Sequence, residues 1–178
     1  KPSLEHIVGL HENEMEVLQW ASSLSQNSEH PLSTAIMHKA QSQNIHRKNV
    51  SNFKNISGKG IYAKIDNSVF LLGNKSLLEE FNINLNDNLI KILDSYKNKA
   101  FTISFLAKDS EVVGVLCFTD KIKIEAKNTI QELKNQGIEV IMMTGDNEQT
   151  AGYVANKLGI KEFYANCLPQ DKMHKIKQ

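Results

Sequence analysis

The sequence predicts two architectures in one chain: an α+β part, a sheet with flanking helices over about residues 10–118, and then a shorter α/β part built on a parallel sheet. Three observations carry this expectation. Helical periodicity fills the first forty positions, short apolar runs of strand length follow from Val50, and beyond Asp120 helix and strand signals alternate. At roughly 150 residues per domain, 178 residues amount to about 1.2 domains, which fits one complete domain and a piece of another.

Val17, Trp20, Ala21 and Leu24 fall at i, i+3, i+4 and i+7, and Leu32, Ala35, Ile36 and Ala40 repeat the stripe behind Pro31, a residue suited to a first helical turn. Strand-type runs follow at 50–56, 61–65 and 69–72, the last two divided by Asp66-Asn67, a pair that favours tight turns. Amphipathic helices are expected around 77–81 and 89–96, and strands over 101–107 and 112–118. After Asp120 the residues Ile122, Ala126, Ile130 and Leu133 mark a helix that Gly137 ends, and 138–143 is an apolar run of strand length. A helix with Ala151, Val154, Ala155 and Leu158 closes at Gly159; a strand at 163–165 and a helix from Pro169 complete the alternation. Two short parallel strands cannot cover a domain core, so this second part reads as incomplete.

Composition removes several function classes. Lys and Arg number 21 and Asp and Glu 20, so the net charge of +1 offers no basic surplus for nucleic acid. Hydrophobic residues at 40% and charged residues at 23% are ordinary globular usage. The longest nearly apolar stretch, 112–118, falls well short of the roughly 20 residues that span a bilayer, and no basic-then-apolar leader is visible at Lys1. Cys117 and Cys167 stand fifty positions apart without a C-x-x-C, which points to reduced, structural thiols in a cytosolic setting. The six histidines include no i, i+4 pair with a carboxylate between them, so a metalloprotease reading fails.

Four short motifs carry chemistry, each with a plainer reading beside it. Thr144-Gly145-Asp146-Asn147 sits where a parallel strand gives way to a helix, a junction at which α/β folds bind ligands and where free N–H groups suit an anion; the plainer reading is a turn and a helix cap. Lys172 lies in the first turn of the helix from Pro169, where an anion would explain a lysine that the helix dipole disfavours, or it is a solvated surface residue. His30, in Ser28-Glu29-His30-Pro31, could stack on a planar heterocycle or simply cap a helix. Gly58-Lys59-Gly60 and Gly73 lie at strand ends, where glycines serve turns but also let a backbone approach a nucleotide.

Together, Ser-Glu-His-Pro-Leu at 28–32, Gly-Lys-Gly-Ile at 58–61, Leu-Gly-Asn-Lys at 72–75, Asp120 with Lys123, Met-Thr-Gly-Asp-Asn at 143–147 and Leu-Pro-Gln-Asp-Lys at 168–172 occur in an order that resembles the cytoplasmic ATP-binding region of heavy-metal-transporting P-type ATPases. The resemblance covers essentially the whole chain and leans towards the copper type. It implies an α+β nucleotide-binding domain over 10–118, joined to an incomplete α/β phosphorylation domain of the haloacid dehalogenase type over 119–178, with 1–9 as a linker. It implies ATP and Mg2+ as cofactors, and the transmembrane and actuator domains of a full-length pump as partners. By resemblance His30, beside Glu29, orients adenine, and Gly58, Gly60 and Gly73 form the nucleotide pocket. Thr144, Gly145 and Asp146 would line the phosphorylation pocket, and Lys172 would stabilise phosphoryl oxygens, in keeping with phosphoryl transfer by positioned cations and amides.

The family's phosphorylated aspartate, in Asp-Lys-Thr-Gly-Thr, is expected before Lys1, and its Gly-Asp-Gly-x-Asn-Asp magnesium loop beyond Gln178, so the 178 residues alone should hydrolyse no ATP. Ser25 stands where the family usually carries a glutamate, five residues before the histidine. That departure keeps open a non-catalytic nucleotide-binding or regulatory module, and a soluble phosphatase with a cap domain is the third reading.

Overall fold

The computed structural model describes residues 2–96, 101–120, 124–145 and 148–167. They divide into two compact units, one within Lys1–Ser95 and Phe101–Lys121, the other within Tyr96–Ala100 and Ile122–Gln178.

In the first unit, helix α1 (Glu14–Ser25) opens on Asn13, whose side chain accepts from Glu16 N at 2.9 Å, with Glu14 and Glu16 in the first turn where the helix dipole favours acids. Helix α2 (Pro31–Ser42) starts on its proline as expected. The stripes Val17, Leu18, Ala21 and Leu24, and Ala35, Ile36 and Ala40, are buried.

Both helices cover one face of a six-stranded sheet that is antiparallel at every pairing, in the order β1-β6-β5-β4-β3-β2. The strands are β1 (Pro2–Gly9), β2 (Val50–Ile56), β3 (Gly60–Ile65), β4 (Ser68–Gly73), β5 (Thr102–Lys108) and β6 (Glu111–Asp120). On the covered face Ile61, Ala63, Ile65, Phe70, Leu72, Leu106 and Leu116 join the helical stripes in one core. At about 1.5–3 kcal/mol for each fully buried large aliphatic or aromatic side chain, this cluster dominates the unit's stability. The alternate positions Leu71, Phe105 and Ala107 are buried with Leu77 and Leu78 of α3 (Lys75–Glu80), which packs on β4 and β5; α4 (Asp87–Tyr96) buries Leu89. The β3–β4 turn is the expected one, with Asp66 at φ 55° and Ile65 paired to Ser68.

Strand β1 departs from expectation. Residues 2–9, read as a linker, pair with β6 at the sheet edge, and a bulge between Leu4 and His6 brings both Leu4 and Ile7 to the core. Three-residue spacing between buried positions hides a strand from a period-two reading.

In the second unit, α5 (Ile124–Asn135) and α6 (Glu148–Leu158) end at Gly137 and Gly159 through the bonds Ile138 N to Leu133 O at 3.0 Å and Ile160 N to Ala155 O at 2.8 Å. Lys134 Nζ donates to Gly159 O, tying the end of α6 to α5. Strands β7 (Ile141–Met143) and β8 (Glu162–Tyr164) pair in parallel across α6, as the alternation required. The strand is shorter than the apolar run 138–143: Ile138 completes the helix stop, and Glu139 and Val140 precede the first paired residue, Ile141. The expected helix from Pro169 lies outside the described residues. Among the described residues no helix is long and apolar enough to cross a membrane.

Candidate functional site

Four separate pieces of the first unit meet around a cavity of about 270 Å³: the start of α2, the β2–β3 turn, the end of β4 and the start of β5. His30, Gly58, Gly60 and Gly73 all line it. Its floor is apolar, with Ile36, Ile61 and Leu72, and its polar groups include Ser33, Asn55, Asn74, Thr102 and Ser104. An apolar slot with a few convergent donors and acceptors suits a small planar ligand.

His30 is both the helix cap and a cavity residue. Its Nδ1 accepts from Leu32 N at 3.2 Å and its carbonyl accepts from Thr34 N at 3.1 Å. A ring that accepts at Nδ1 carries its proton on Nε2, so the cap fixes the tautomer and leaves a donor on the outer edge. Ser28 holds the approach to the helix: its Oγ accepts from His30 N at 3.3 Å and from Ser33 Oγ at 3.0 Å.

The glycines have distinct structural reasons. Gly60 and Gly73 are direct cross-strand partners, and a Cβ on Gly60 would stand 2.3 Å from Leu72 O, one on Gly73 2.2 Å from Lys59 O. Only glycines let these two backbones approach so closely. Gly58 has open space around it and φ +70°, a conformation that tolerates few other residues.

Asn74 and Lys59 belong to the site although motif reasoning gave them no role. Asn74 Oδ1 accepts from Leu77 N at 3.1 Å as the cap of α3, its Nδ2 donates to Gly58 O at 2.8 Å, and its own N–H donates to Lys59 O at 2.9 Å. An asparagine just before a helical run was the available signal. Lys59 Nζ pairs with Glu80 Oε2 of α3 at 2.7 Å. Glu29 is placed elsewhere: it lines a larger cavity of about 730 Å³ between β1 and α2 that contains neither His30 nor the glycines. Ser25 is buried at the end of α1, and its Oγ has no partner among the described residues.

At the second locus, Thr144 leaves β7 with its N–H donating to Tyr164 O at 3.0 Å and its carbonyl accepting from Cys167 N at 2.9 Å. Gly145 lies outside the left-handed region, and a Cβ there would meet only Cys167 O, at an ordinary 3.6 Å. Neither conformation nor crowding within the described residues demands a glycine there. Asp146 and Lys172 lie outside the described residues. Nearby, the Tyr164 hydroxyl donates to Glu162, and that hydrogen bond, together with the carboxylate's charge and slight burial, pushes its pKa above the usual tyrosine value. No group of three or more potential metal ligands occurs among the described residues.

The chain is 35% identical over 167 residues to a copper-exporting P-type ATPase of Staphylococcus haemolyticus, a match covering 94% of this chain and 21% of that protein. It is 34% identical over 172 residues to copper-exporting P-type ATPase B of Archaeoglobus fulgidus, covering 97% of this chain and 24% of that one. The chain thus spans about a fifth to a quarter of the length of these curated relatives. In structure it is similar to a zinc-transporting PIB-type ATPase in its E2.Pi state, with a TM-score of 0.84 at 25% identity over 99% of this chain and 28% of the other. The resemblance to heavy-metal P-type ATPases read from the motifs therefore extends over nearly the whole chain. With the family model of the haloacid dehalogenase-like hydrolases matching residues 4–177, the chain belongs to that family.

Proposed function

We propose that this chain is the ATP-binding region of a copper-type heavy-metal P-type ATPase, in which ATP hydrolysis through an aspartyl-phosphate drives ion export. One observation carries the reading: His30, Gly58, Gly60 and Gly73, far apart in sequence, line one cavity. At about 270 Å³ the cavity lies just below the roughly 300–1,000 Å³ typical of small-molecule clefts. It takes the base and ribose, and the phosphates extend beyond its mouth. The His30 ring stacks on adenine with Nε2–H directed outward, and the glycine loop lets its backbone reach the sugar and the first phosphate.

Residues 10–118, together with the β1 strand that pairs at the sheet edge, act as the nucleotide-binding domain and the residues beyond as part of the phosphorylation domain, a division supported to within a few residues by the break between compact units at Lys121 and Ile122. Thr144 and Gly145 at the strand-to-helix junction, with Asp146 and Lys172, line the phosphoryl site. There an acceptor carboxylate of the whole pump attacks the γ-phosphorus and ADP leaves with the bridging oxygen. The spread negative charge is met by the Thr144 hydroxyl, backbone amides and the Lys172 ammonium. Magnesium arrives with the nucleotide as part of the substrate. Copper as cargo, the transmembrane and actuator domains as partners, and a cytoplasmic position are inferred from the copper-exporting relatives.

The test is an amide NMR titration of the 178-residue chain with ATP, alongside a phosphate-release assay. Shifts are expected at His30, Gly58, Gly60 and Gly73, with no turnover, because Asp-Lys-Thr-Gly-Thr is absent from these residues. Silence at those amides, or vigorous magnesium-dependent turnover, would overturn the reading.

A further inference from the structure

We propose that Lys59 is the phosphate-binding cation of this cavity and that Glu80 is its resident competitor, released when a nucleotide arrives. The inference rests on the nucleotide reading above and adds to it what sets the preference for phosphorylated ligands. Among the described residues that line the cavity, Lys59 is the only lysine or arginine, and none is a carboxylate. A nucleotide whose base occupies so small a slot must leave its phosphates at the mouth, and among the described residues of the lining only Lys59 carries a full positive charge to meet them.

The loop holds the lysine backbone on both sides while its side chain stays accessible to solvent. Lys59 N donates to Ile56 O at 3.0 Å, and Lys59 O accepts from Asn74 N at 2.9 Å, so the Cα is fixed on both sides. Gly58 and Gly60 flank it without side chains that would crowd the four-carbon stem. The ammonium lies 2.7 Å from Glu80 Oε2, and the two side chains are 40% and 43% exposed. An ion pair this accessible contributes little net stability, so exchanging its single carboxylate for a polyphosphate is favourable. Glu80 is not left without structure by the exchange, since it stays on α3 in water. Lys75, the lysine of that helix, is held 3.5 Å from Glu79 and is not among the described residues that line the cavity.

The experiment is calorimetric titration of the whole chain and its variants with adenosine, AMP and ATP at low and high salt. Wild type is expected to bind ATP more tightly than adenosine, with the difference shrinking as salt screens it. Lys59→Met should weaken ATP by about three- to tenfold while changing adenosine less than twofold, and Lys59→Arg should restore ATP. Glu80→Gln should strengthen ATP by about two- to fivefold, and only when Lys59 is present. An ATP-to-adenosine ratio unchanged in Lys59→Met overturns the proposal, as does parallel loss of both ligands, which would mark a merely structural lysine. No gain in Glu80→Gln removes Glu80 as competitor. If adenosine binds and the ratio is insensitive to Lys59, only this inference fails; if neither ligand binds wild type, the nucleotide reading itself fails with it.

Discussion

Replacing Asn74 with alanine tests how the cavity is held together. The change deletes two bonds, the 3.1 Å cap on Leu77 N and the 2.8 Å tie to Gly58 O, while the backbone bond to Lys59 O survives. Losing an asparagine cap costs about 1 kcal/mol, and an exposed side-chain hydrogen bond adds about 0.5 kcal/mol at the low end of its range. The expected destabilisation is therefore about 1.5 kcal/mol, or about 6 °C in Tm for a unit of this size. Asn74→Asp separates the two contributions, because a carboxylate keeps the acceptor for Leu77 and suits the helix dipole but has no donor for Gly58 O. Its Tm should lie within about 3 °C of wild type, yet its ATP titration should resemble that of Asn74→Ala, since both free the glycine loop. Circular dichroism melts and ATP titrations of the two variants decide the matter. A Tm change under 2 °C in Asn74→Ala, with unaltered nucleotide binding, would refute the claim that this side chain staples the loop to α3.

The two loop glycines should respond differently to alanine. Gly60→Ala drives a Cβ to 2.3 Å from Leu72 O and should cost about 3 kcal/mol or more in urea unfolding, whereas Gly58→Ala meets open space at φ +70° and should cost about 1–2 kcal/mol. His30→Asn should keep the cap on α2 and stay within about 0.5 kcal/mol of wild type, while losing ATP-induced NMR shifts; His30→Ala should lose both binding and about 1 kcal/mol. Ser25→Ala removes a buried hydroxyl without a described partner and should be neutral or stabilising by up to about 1 kcal/mol; a loss larger than that in chemical unfolding would reveal a partner. In an alkaline absorbance titration, Tyr164→Phe should delete a tyrosine that ionises above the ordinary range, and Glu162→Gln should bring that ionisation down, because the hydrogen bond and charge that hold the proton both come from Glu162.

Where local chemistry decides an element, the sequence made it legible. The stripes of α1 and α2, the Asp66-Asn67 turn and the glycine stops of α5 and α6 are short-range features, and the structure has them at the expected places. Elements decided by distant partners were not. Strand β1 exists because β6 pairs with it and a bulge corrects its apolar spacing, and β7 loses Ile138 to a helix stop. The same division holds at the site. His30 and the glycines stood out as motifs, but the ties from Asn74 to Gly58 and from Lys59 to Glu80 join residues 16 and 21 positions apart, and only the pairing of Gly60 with Gly73 brings them together. Glu29 shows the converse, since adjacency to His30 in sequence did not carry it into the same cavity.

The plain and functional readings of the motifs do not exclude each other. His30 caps α2, as the modest reading held, and the cap is what selects the Nε2 tautomer and holds the ring at the cavity wall. Gly60 and Gly73 are turn and pairing residues, and their close approach is what brings β3 and β4 together so that Lys59 projects between two residues without side chains. A cavity assembled this way takes its rigidity from ordinary folding interactions of a few kcal/mol, so a substitution in its lining acts on the scaffold as well as on any contact made there. Gly145 differs from them. Nothing among the described residues requires a glycine there. The two loci differ in this: Gly58, Gly60 and Gly73 at the cavity near His30 each have a conformational or packing reason among the described residues, whereas Gly145 has none there.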